Sequence, residues 1–107
     1  MSATLMVRAE VGEADRDAFD RWYQDEHLPD AVRAFDAVAA WRGWSHVEPG
    51  LHYAFYELES LEKLQAVMNS TVIKELIAEF DRVWAGRVTR TREVISRSQR
   101  IEGAHVA

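Results

Sequence analysis

The chain has 107 residues and no cysteine, which excludes disulfide bonds and thiolate chemistry. Its 48% hydrophobic content is too high for a disordered chain, and its length fits one domain, expected over 1–107 with a core of about 3–100 and a flexible tail at 103–107. The net charge of −5 argues against general nucleic-acid binding. No secretory signal and no apolar run long enough for a membrane span is visible, so we expect a cytoplasmic protein without nucleic-acid or membrane partners.

The first predicted elements are a strand and a helix. Residues 3–11 alternate apolar and polar side chains, which is typical of a half-buried strand. A helix is predicted over about 14–28. Pro29 is expected to end this helix, because proline has no N–H to donate to the preceding turn, and to open a short second turn through Phe35.

The apolar stripe of this first helix continues into two polar residues. Phe19, Trp22 and Tyr23 lie at positions i, i+3 and i+4, and Glu26 and His27 follow at i+7 and i+8. A buried polar group without a partner costs about 1–3 kcal/mol. The stripe therefore predicts either that the two groups pair inside the core or that they line a pocket for a small molecule.

The middle of the chain is predicted to form a hairpin from strands over 37–47 and 51–58. Between them, Pro49 and Gly50 occupy the two central positions of a type II turn. If Glu48 faces Leu51, the register places three pairs on one face of the hairpin: Arg42 with Glu57, Trp44 with Phe55, and His46 with Tyr53.

Two further helices and a strand complete the pattern. Ser60 is a suitable N-cap for a short helix through Met68, and Ser70 or Thr71 begins a longer one. The longer helix carries an apolar stripe at helical spacing: Ile73, Leu76, Ile77, Phe80 and Trp84. Gly86 ends it, and a last strand is predicted over 87–99.

The order strand, helix, strand, strand, helix, strand predicts an α+β fold, the ferredoxin-like βαββαβ plait, with helices on one face of an antiparallel sheet. The other face has no cover within one chain, yet neighbouring residues such as Phe55 and Tyr56 place apolar groups on both faces. We therefore expect a homodimer. The arginines of the last strand are expected to pair with acidic groups of the first helix or with Glu57.

Two motifs resemble the EthD-like members of the dimeric α+β barrel superfamily. They are F-D-R-W-Y-Q-D-E-H-L-P-D at 19–30 and H-Y-A-F-Y-E-L-E-S at 52–60. The resemblance implies two ferredoxin-like protomers paired sheet to sheet into a barrel, with a pocket between sheet and helices. Such proteins include cofactor-free monooxygenases, polyketide cyclases, a muconolactone isomerase and haem-handling proteins. This chain has Asn69-Ser70-Thr71 where related cyclases often have a histidine, which argues against transferring a cyclase mechanism.

The candidate catalytic residues are His27, Tyr23 and Glu26. His27 would move a proton, because its ordinary pKa of ~6.5 lets it act as acid or base near neutral pH, or it is a structural residue at a helix end. Tyr23 or Tyr56 would hold a ligand oxygen, or be core residues with a polar tip. Glu26 would accept a proton or, as the favoured reading, pair with an arginine of the last strand. The candidate ligand-binding residues are Trp22, His52, Tyr56 and Trp84.

The leading hypothesis is a protein that binds a small, apolar, aromatic or polyketide-like molecule. As an enzyme it would be a cofactor-independent isomerase, cyclase or monooxygenase. The alternatives are a non-catalytic ligand-binding or partner-binding module, in which His27 is structural, and haem handling with His27 or His52 as axial ligand. No metal-ligand spacing or phosphate-binding loop occurs, so neither a metal nor a cofactor is expected.

Overall fold

The computed structural model describes residues 2–104, which form four strands and four α-helices. In chain order they are β1 (Ala3–Val11), α1 (Arg16–Trp22), α2 (Leu28–Phe35), β2 (Ala39–Trp44), β3 (Leu51–Leu58), α3 (Leu61–Met68), α4 (Thr71–Trp84) and β4 (Val88–Ser96). A 3₁₀ turn, Glu13–Asp15, precedes α1, and a π-helical turn, Tyr23–His27, joins α1 to α2.

The strands form one antiparallel sheet in the order β2-β3-β1-β4, with the helices on one face. The alternation of side chains along β1 determines which face of the sheet the helices cover. Leu5, Val7 and Ala9 are buried beneath the helices, while the residues between them face the other side. The predicted ferredoxin-like α+β fold is confirmed.

Both predicted helix starts after β3 are confirmed by side-chain caps. The Ser60 hydroxyl accepts a hydrogen bond from the Lys63 backbone N–H at 3.1 Å, and the Ser70 hydroxyl accepts one from the Ile73 N–H at 3.4 Å. Gly86, with φ of 80°, follows α4 as predicted. From α4, Ile73, Phe80 and Trp84 enter the core.

The first helix does not end at Pro29, contrary to the prediction. α1, the π turn and α2 follow one another without a break, and Pro29 is the second residue of α2. At the end of the π turn the Leu28 N–H donates to the Tyr23 carbonyl, five residues earlier. Pro29 has no N–H and leaves one backbone hydrogen bond unmade. Because the wider π turn comes directly before it, the helix continues through Pro29 instead of ending there.

The π turn also changes which side chains face the core. Tyr23 and His27 are buried, whereas Glu26 between them is exposed, so its predicted place on the buried stripe is wrong. Because a π turn holds more residues than an α turn, His27, four positions after Tyr23, lies on the same face of the helix as Tyr23, and Glu26, three positions after it, does not. The favoured pairing of Glu26 with an arginine of the last strand is also wrong, because none of the ion pairs within residues 2–104 includes Glu26.

The hairpin register differs from the prediction by three residues. Trp41 lies opposite Phe55, Arg42 opposite Ala54 and Trp44 opposite His52. Because the shift is odd, it exchanges the two faces of β2. Arg42 and Trp44 therefore face the helices, and Trp41 lies on the open face of the sheet.

A six-residue loop, 45–50, accounts for this register. The Ser45 hydroxyl accepts hydrogen bonds from the Val47 and Glu48 N–H groups, at 3.2 and 2.9 Å, so β2 ends before the predicted turn begins. Gly50 has φ of 87°, and its carbonyl accepts from the Val11 N–H at 2.8 Å. A Cβ at Gly50 would lie 2.5 Å from the Val11 carbonyl oxygen, so only glycine fits.

The last strand is shorter than predicted, and the expected ion pairs are present for two of the arginines predicted to lie on it, whereas Arg90 pairs with Asp81 of α4. Arg97 pairs with Glu57, and Arg87 Nη2 lies 2.9 Å from Asp15 Oδ1, within the predicted first helix. Residues 97–104 form no regular element, and 105–107 of the predicted loose tail lie outside the described residues. No helix within 2–104 is long and apolar enough to cross a membrane.

Candidate functional site

A narrow cavity lies between the helix-covered face of the sheet and helices α2 and α4. Its volume open to water is about 30 Å³, which is room for about two water molecules. Most of its lining is apolar: Leu5, Val7, Ala31, Phe35, Ile73, Leu76 and Ile77. The remaining lining residues are polar: His27, Tyr56, Arg90 and Arg92. Mainly apolar walls with a few converging polar groups are typical of small-molecule sites.

His27 reaches the cavity from the end of the π turn. Its imidazole stacks on Trp22, with ring centroids 4.5 Å apart, and meets the Phe80 ring edge-on at 5.7 Å. Burial, together with the positive charge of Arg90, lowers the pKa of His27 to about 4. His27 is therefore neutral at pH 7 and has a free ring nitrogen for a proton, but the same burial and charge that lower its pKa also weaken it as a base.

Two tyrosines place protonated phenols beside the cavity. Burial raises the pKa of Tyr56 well above its usual value, and the adjoining Tyr23 phenol raises it further. Burial also raises the pKa of Tyr23. The Tyr56 hydroxyl is buried and has no partner with hydrogen-bond geometry within residues 2–104. The Tyr23 phenol lies close enough to act on Tyr56 as a hydrogen-bonding neighbour, so the Tyr56 donor is shared between Tyr23 and any ligand oxygen at the cavity wall.

Arg90 and Arg92 come from β4, two residues apart on the face that looks toward the helices. Arg90 Nη2 lies 3.3 Å from Asp81 Oδ1, and its guanidinium lies 3.7 Å from the centroid of the Phe80 ring. Burial lowers the pKa of Arg90, and the charge of Arg92 adds to this effect. No ion pair joins Arg92 to a carboxylate within residues 2–104.

The arrangement suits the formation of an anion. The lining of the cavity contains a neutral imidazole, a phenol donor and two cations, but no carboxylate. A proton removed by His27 leaves negative charge on the ligand. Donors already fixed at the place where charge develops stabilise it without reorganisation.

A second polar cluster lies farther along the same sheet face and consists of Asp20, Arg42, Trp44 and His52. Arg42 Nη1 donates to Asp20 Oδ1 at 2.7 Å, and Trp44 Nε1 donates to the same oxygen at 2.8 Å. The hydrogen bond from Arg42, followed by that from Trp44, lowers the pKa of Asp20.

His52 is the innermost member of that cluster. Arg42 Nη1 also lies 3.2 Å from His52 Nε2, and because arginine only donates, the His52 proton resides on Nδ1. This Nδ1 has no hydrogen-bond partner within residues 2–104. Burial, with the charge of Arg42, lowers the pKa of His52 to about 4. The imidazole of His52 is enclosed and does not line the cavity.

The structure brings three of the candidate residues together, namely His27 and Tyr56 in the cavity wall and Tyr23 next to Tyr56. The other four do not line the cavity, although Trp22 stacks on His27 and His52 packs against Tyr23. Trp22 covers the outer side of His27, Trp84 is a core residue, His52 belongs to the Asp20 cluster, and Glu26 faces solvent.

Sequence reasoning did not identify Arg90 and Arg92 as cavity residues. The alternation along β4 contained the signal, because both arginines share the face of Val88 and Val94. Within the described residues, no group of three or more histidine, aspartate and glutamate side chains is arranged to hold a metal.

Comparison with known proteins gives structural matches only. No protein-family profile and no curated protein matches the sequence. An ethyl tert-butyl ether D (EthD) family protein from Bacillus halodurans is 18% identical with a TM-score of 0.67, covering 87% of this chain and 97% of its own. SnoaB, a cofactor-independent oxygenase from Streptomyces nogalater, is 11% identical with a TM-score of 0.68, covering 95% and 98%. HapK from Hahella chejuensis is 14% identical with a TM-score of 0.65, covering 98% of both chains.

At these identities the likeness concerns the fold. The chain has the α+β fold of the EthD family protein and of the cofactor-independent oxygenase. The predicted resemblance to EthD-like proteins of the dimeric α+β barrel superfamily is thereby confirmed at the level of the fold. Function is a separate matter, because one fold serves many chemistries.

Proposed function

We propose that the chain binds a small, mainly apolar ketone in the cavity and that His27 removes a proton from the carbon next to the carbonyl. In this step the C–H bond breaks, an N–H bond forms on the imidazole, and the electron pair becomes an enolate. The enolate oxygen receives a hydrogen bond from Tyr56, with the charges of Arg90 and Arg92 nearby. Tyr23 supports Tyr56 as its neighbour.

One observation carries this proposal: a neutral, buried histidine and an unpartnered tyrosine hydroxyl meet at an apolar cavity. A base and an oxygen-stabilising donor are the two groups that enolate formation requires. Returning the proton to another carbon is an isomerisation. Attack of the enolate on a second carbonyl is a cyclisation, and transfer of an electron from the enolate to O₂ begins an oxygenation. The similarity in fold to a cofactor-independent oxygenase supports the last of these routes.

A ligand needs more room than the present 30 Å³, since occupied ligand pockets measure roughly 300 Å³ or more. The outer wall of the cavity is formed by Leu76 and Ile77 of α4, which are only partly buried. We expect these two side chains to move aside when a ligand enters.

The test is hydrogen exchange of 2-tetralone in D₂O, followed by NMR at the carbon next to the carbonyl. The wild-type protein is expected to exceed the buffer rate, and His27→Phe, which keeps an aromatic ring against Trp22, is expected to lose about 100-fold. His46→Phe makes the same change at an exposed loop position and serves as the matched control.

The outcomes separate the hypotheses. Exchange no faster than in buffer, or equal exchange in wild type and His27→Phe, contradicts proton removal by His27. Binding of 2-tetralone without exchange favours the non-catalytic ligand-binding alternative. Haem handling has no support in this geometry, because His52 is enclosed by Arg42 and aromatic rings and the cavity beside His27 is narrow.

The proposed assembly is a homodimer in which a second copy covers the open face of the sheet. Trp41, 62% exposed, stacks on Phe55 with ring centroids 4.4 Å apart, and Ile95 lies on the same face. Exposed aromatic and aliphatic groups in one patch are typical of an interface. Trp41→Glu is expected to convert dimer to monomer in analytical ultracentrifugation, while Val47→Glu, in an exposed loop, leaves it unchanged. A wild-type monomer at micromolar concentration contradicts the dimer.

The location and the absence of other partners stay predictions from the sequence. A cytoplasmic location agrees with a chain that has no cysteine, and the net charge of −5 argues against nucleic acid as a partner.

A further inference from the structure

The geometry points to an apolar carboxylate as the ligand, an organic acid whose charged end binds Arg92 while its apolar body fills the cavity. This inference rests on the proposed function, because it names the chemical class of ligand for the same cavity. A keto acid with an aromatic or alicyclic body meets both requirements. Its carboxylate faces Arg92, and its ketone faces Tyr56 and His27.

The balance of charge at the cavity is the first argument. Two guanidinium groups border it, and the only carboxylate paired with either of them within residues 2–104 is Asp81, which bonds Arg90 and is 58% exposed. Guanidinium groups remain charged in proteins, so the two like charges repel each other in a partly desolvated place. A bound anion relieves this repulsion.

The two arginines differ in how firmly they are held. Arg90 is 13% exposed, stacks on Phe80 and bonds Asp81, so its position is fixed by the protein. Arg92 has neither contact, and its guanidinium is available to a ligand. A carboxylate accepts two parallel hydrogen bonds from one guanidinium, which gives both strength and direction.

The sheet leaves space beside Arg92. Across the sheet, Arg92 lies opposite Val7 of β1, and Val7 lies opposite Ala54 of β3. The neighbouring pair of opposed residues on this face of the sheet is Leu5 of β1 and Tyr56 of β3. In the row of Arg92, Val7 lines the cavity, whereas Ala54 is fully buried, and a flat ring fits over Val7 between Arg92 and Tyr56 only once Leu76 and Ile77 have moved aside.

The unpartnered Tyr56 hydroxyl is a second, independent observation. Tyr56 is 1% exposed and lines the cavity, and its hydroxyl has no partner within 3.5 Å in the described residues, although the Tyr23 phenol lies beside it. Leaving a buried hydroxyl unpaired costs free energy, and an oxygen of the ligand would satisfy it.

The experiment compares 2-naphthoate with 2-naphthamide, a neutral molecule of nearly the same shape, by isothermal titration calorimetry at pH 7. Wild type is expected to bind the carboxylate about tenfold more tightly. Arg92→Gln is expected to abolish this preference and leave the affinity for the amide unchanged. Arg92→Lys, which keeps the charge, is expected to restore part of the preference. Arg100→Gln removes the same charge outside the cavity lining and is the matched control.

Each result bears on the inference separately from the proposed function. Equal affinity for both probes in wild type overturns the inference, while the binding itself still agrees with an apolar ligand site. A preference that survives in Arg92→Gln, or disappears equally in Arg100→Gln, also overturns it. Failure of both probes to bind overturns it as well, and the exchange of 2-tetralone then decides the proposed function independently. Melting curves confirm that each variant is folded.

Discussion

The helix-covered face of the sheet carries two clusters that combine the same chemical groups in different ways. Each contains a buried histidine and an arginine among aromatic rings. In the Asp20 cluster, Arg42 is bonded to a carboxylate and to His52. At the cavity, within residues 2–104, Arg92 has no carboxylate partner and no hydrogen bond joins His27 to Arg90 or Arg92.

The difference separates a structural cluster from a candidate ligand site. The Asp20 cluster satisfies its central charge with protein groups, although His52 Nδ1 has no partner within residues 2–104 and a solvent-open depression of about 390 Å³ adjoins Asp20 and Trp44. The cavity cluster leaves Arg92 without a carboxylate partner within residues 2–104, while Arg90 bonds Asp81, and it keeps a narrow void next to them. Unsatisfied polar groups are costly in a core, so their persistence beside a void indicates a ligand that satisfies them.

The largest expected effect is a loss of stability at acid pH, to which His27 and His52 contribute in the same way. Their pKa values, 6.5 in the unfolded chain, are about 4 in the folded protein, so between these values the unfolded state binds more protons. The stability is complete above pH 6.5 and falls as the pH decreases toward 4, by up to about 1.4 kcal/mol per pH unit for each histidine.

Urea unfolding from pH 7 to 4.5, at constant protein concentration, measures this loss. His27→Phe is expected to remove the contribution of His27 to the pH dependence of the free energy of unfolding. Saturating 2-naphthoate is expected to reduce the same contribution, because the bound anion favours protonated His27. A slope that His27→Phe leaves unchanged contradicts the depressed pKa of His27.

The second prediction breaks the Asp20 cluster. Asp20→Ala removes the acceptor of Arg42 and Trp44 and leaves a mostly buried guanidinium without its carboxylate. Because the Asp20 side chain is 43% exposed, solvent replaces part of the loss, and we expect a destabilisation of about 2 kcal/mol.

Arg92→Gln is the comparison for this variant, with an expected change within about 0.5 kcal/mol, because Arg92 has no partner to lose. Chemical denaturation measures both. Equal destabilisation by the two substitutions would mean that Arg92 is as structural as Arg42.

The parts of the fold that the sequence predicted correctly depend on local chemistry. Ser60 and Ser70 cap helices through bonds to residues three positions later, and Gly86 follows the last helix because it tolerates a positive φ. The alternation along β1 likewise places its buried side chains without reference to distant residues.

The errors arose where a distant or cooperative contact decided the structure. The tight turn at Pro49-Gly50 was recognisable, but the Ser45 hydroxyl bonds ended β2 earlier and shifted the register. The prediction assumed a regular α-helical period and therefore placed Glu26 on the buried face, because no feature of the sequence indicates the π turn. The stripe did identify His27 as a cavity residue, whereas Arg92 was interpreted only as part of an arginine-rich strand.

The smallest expected effect tests what the Tyr56 hydroxyl costs the unliganded protein at the cavity. Tyr56→Phe removes a buried hydroxyl that has no partner within 3.5 Å in residues 2–104 and keeps the ring that packs edge-on against Phe35 at 5.4 Å. We expect this variant to be about 1 kcal/mol more stable than wild type without ligand, because an unsatisfied donor is eliminated and no packing is lost. The same variant is expected to exchange 2-tetralone more slowly, because the enolate oxygen loses its donor. Tyr53→Phe, on the open face, is the matched control and is expected to change neither property. A loss of stability in Tyr56→Phe would show that the hydroxyl is already satisfied in the unliganded protein, and would remove the main reason to place a ligand oxygen there.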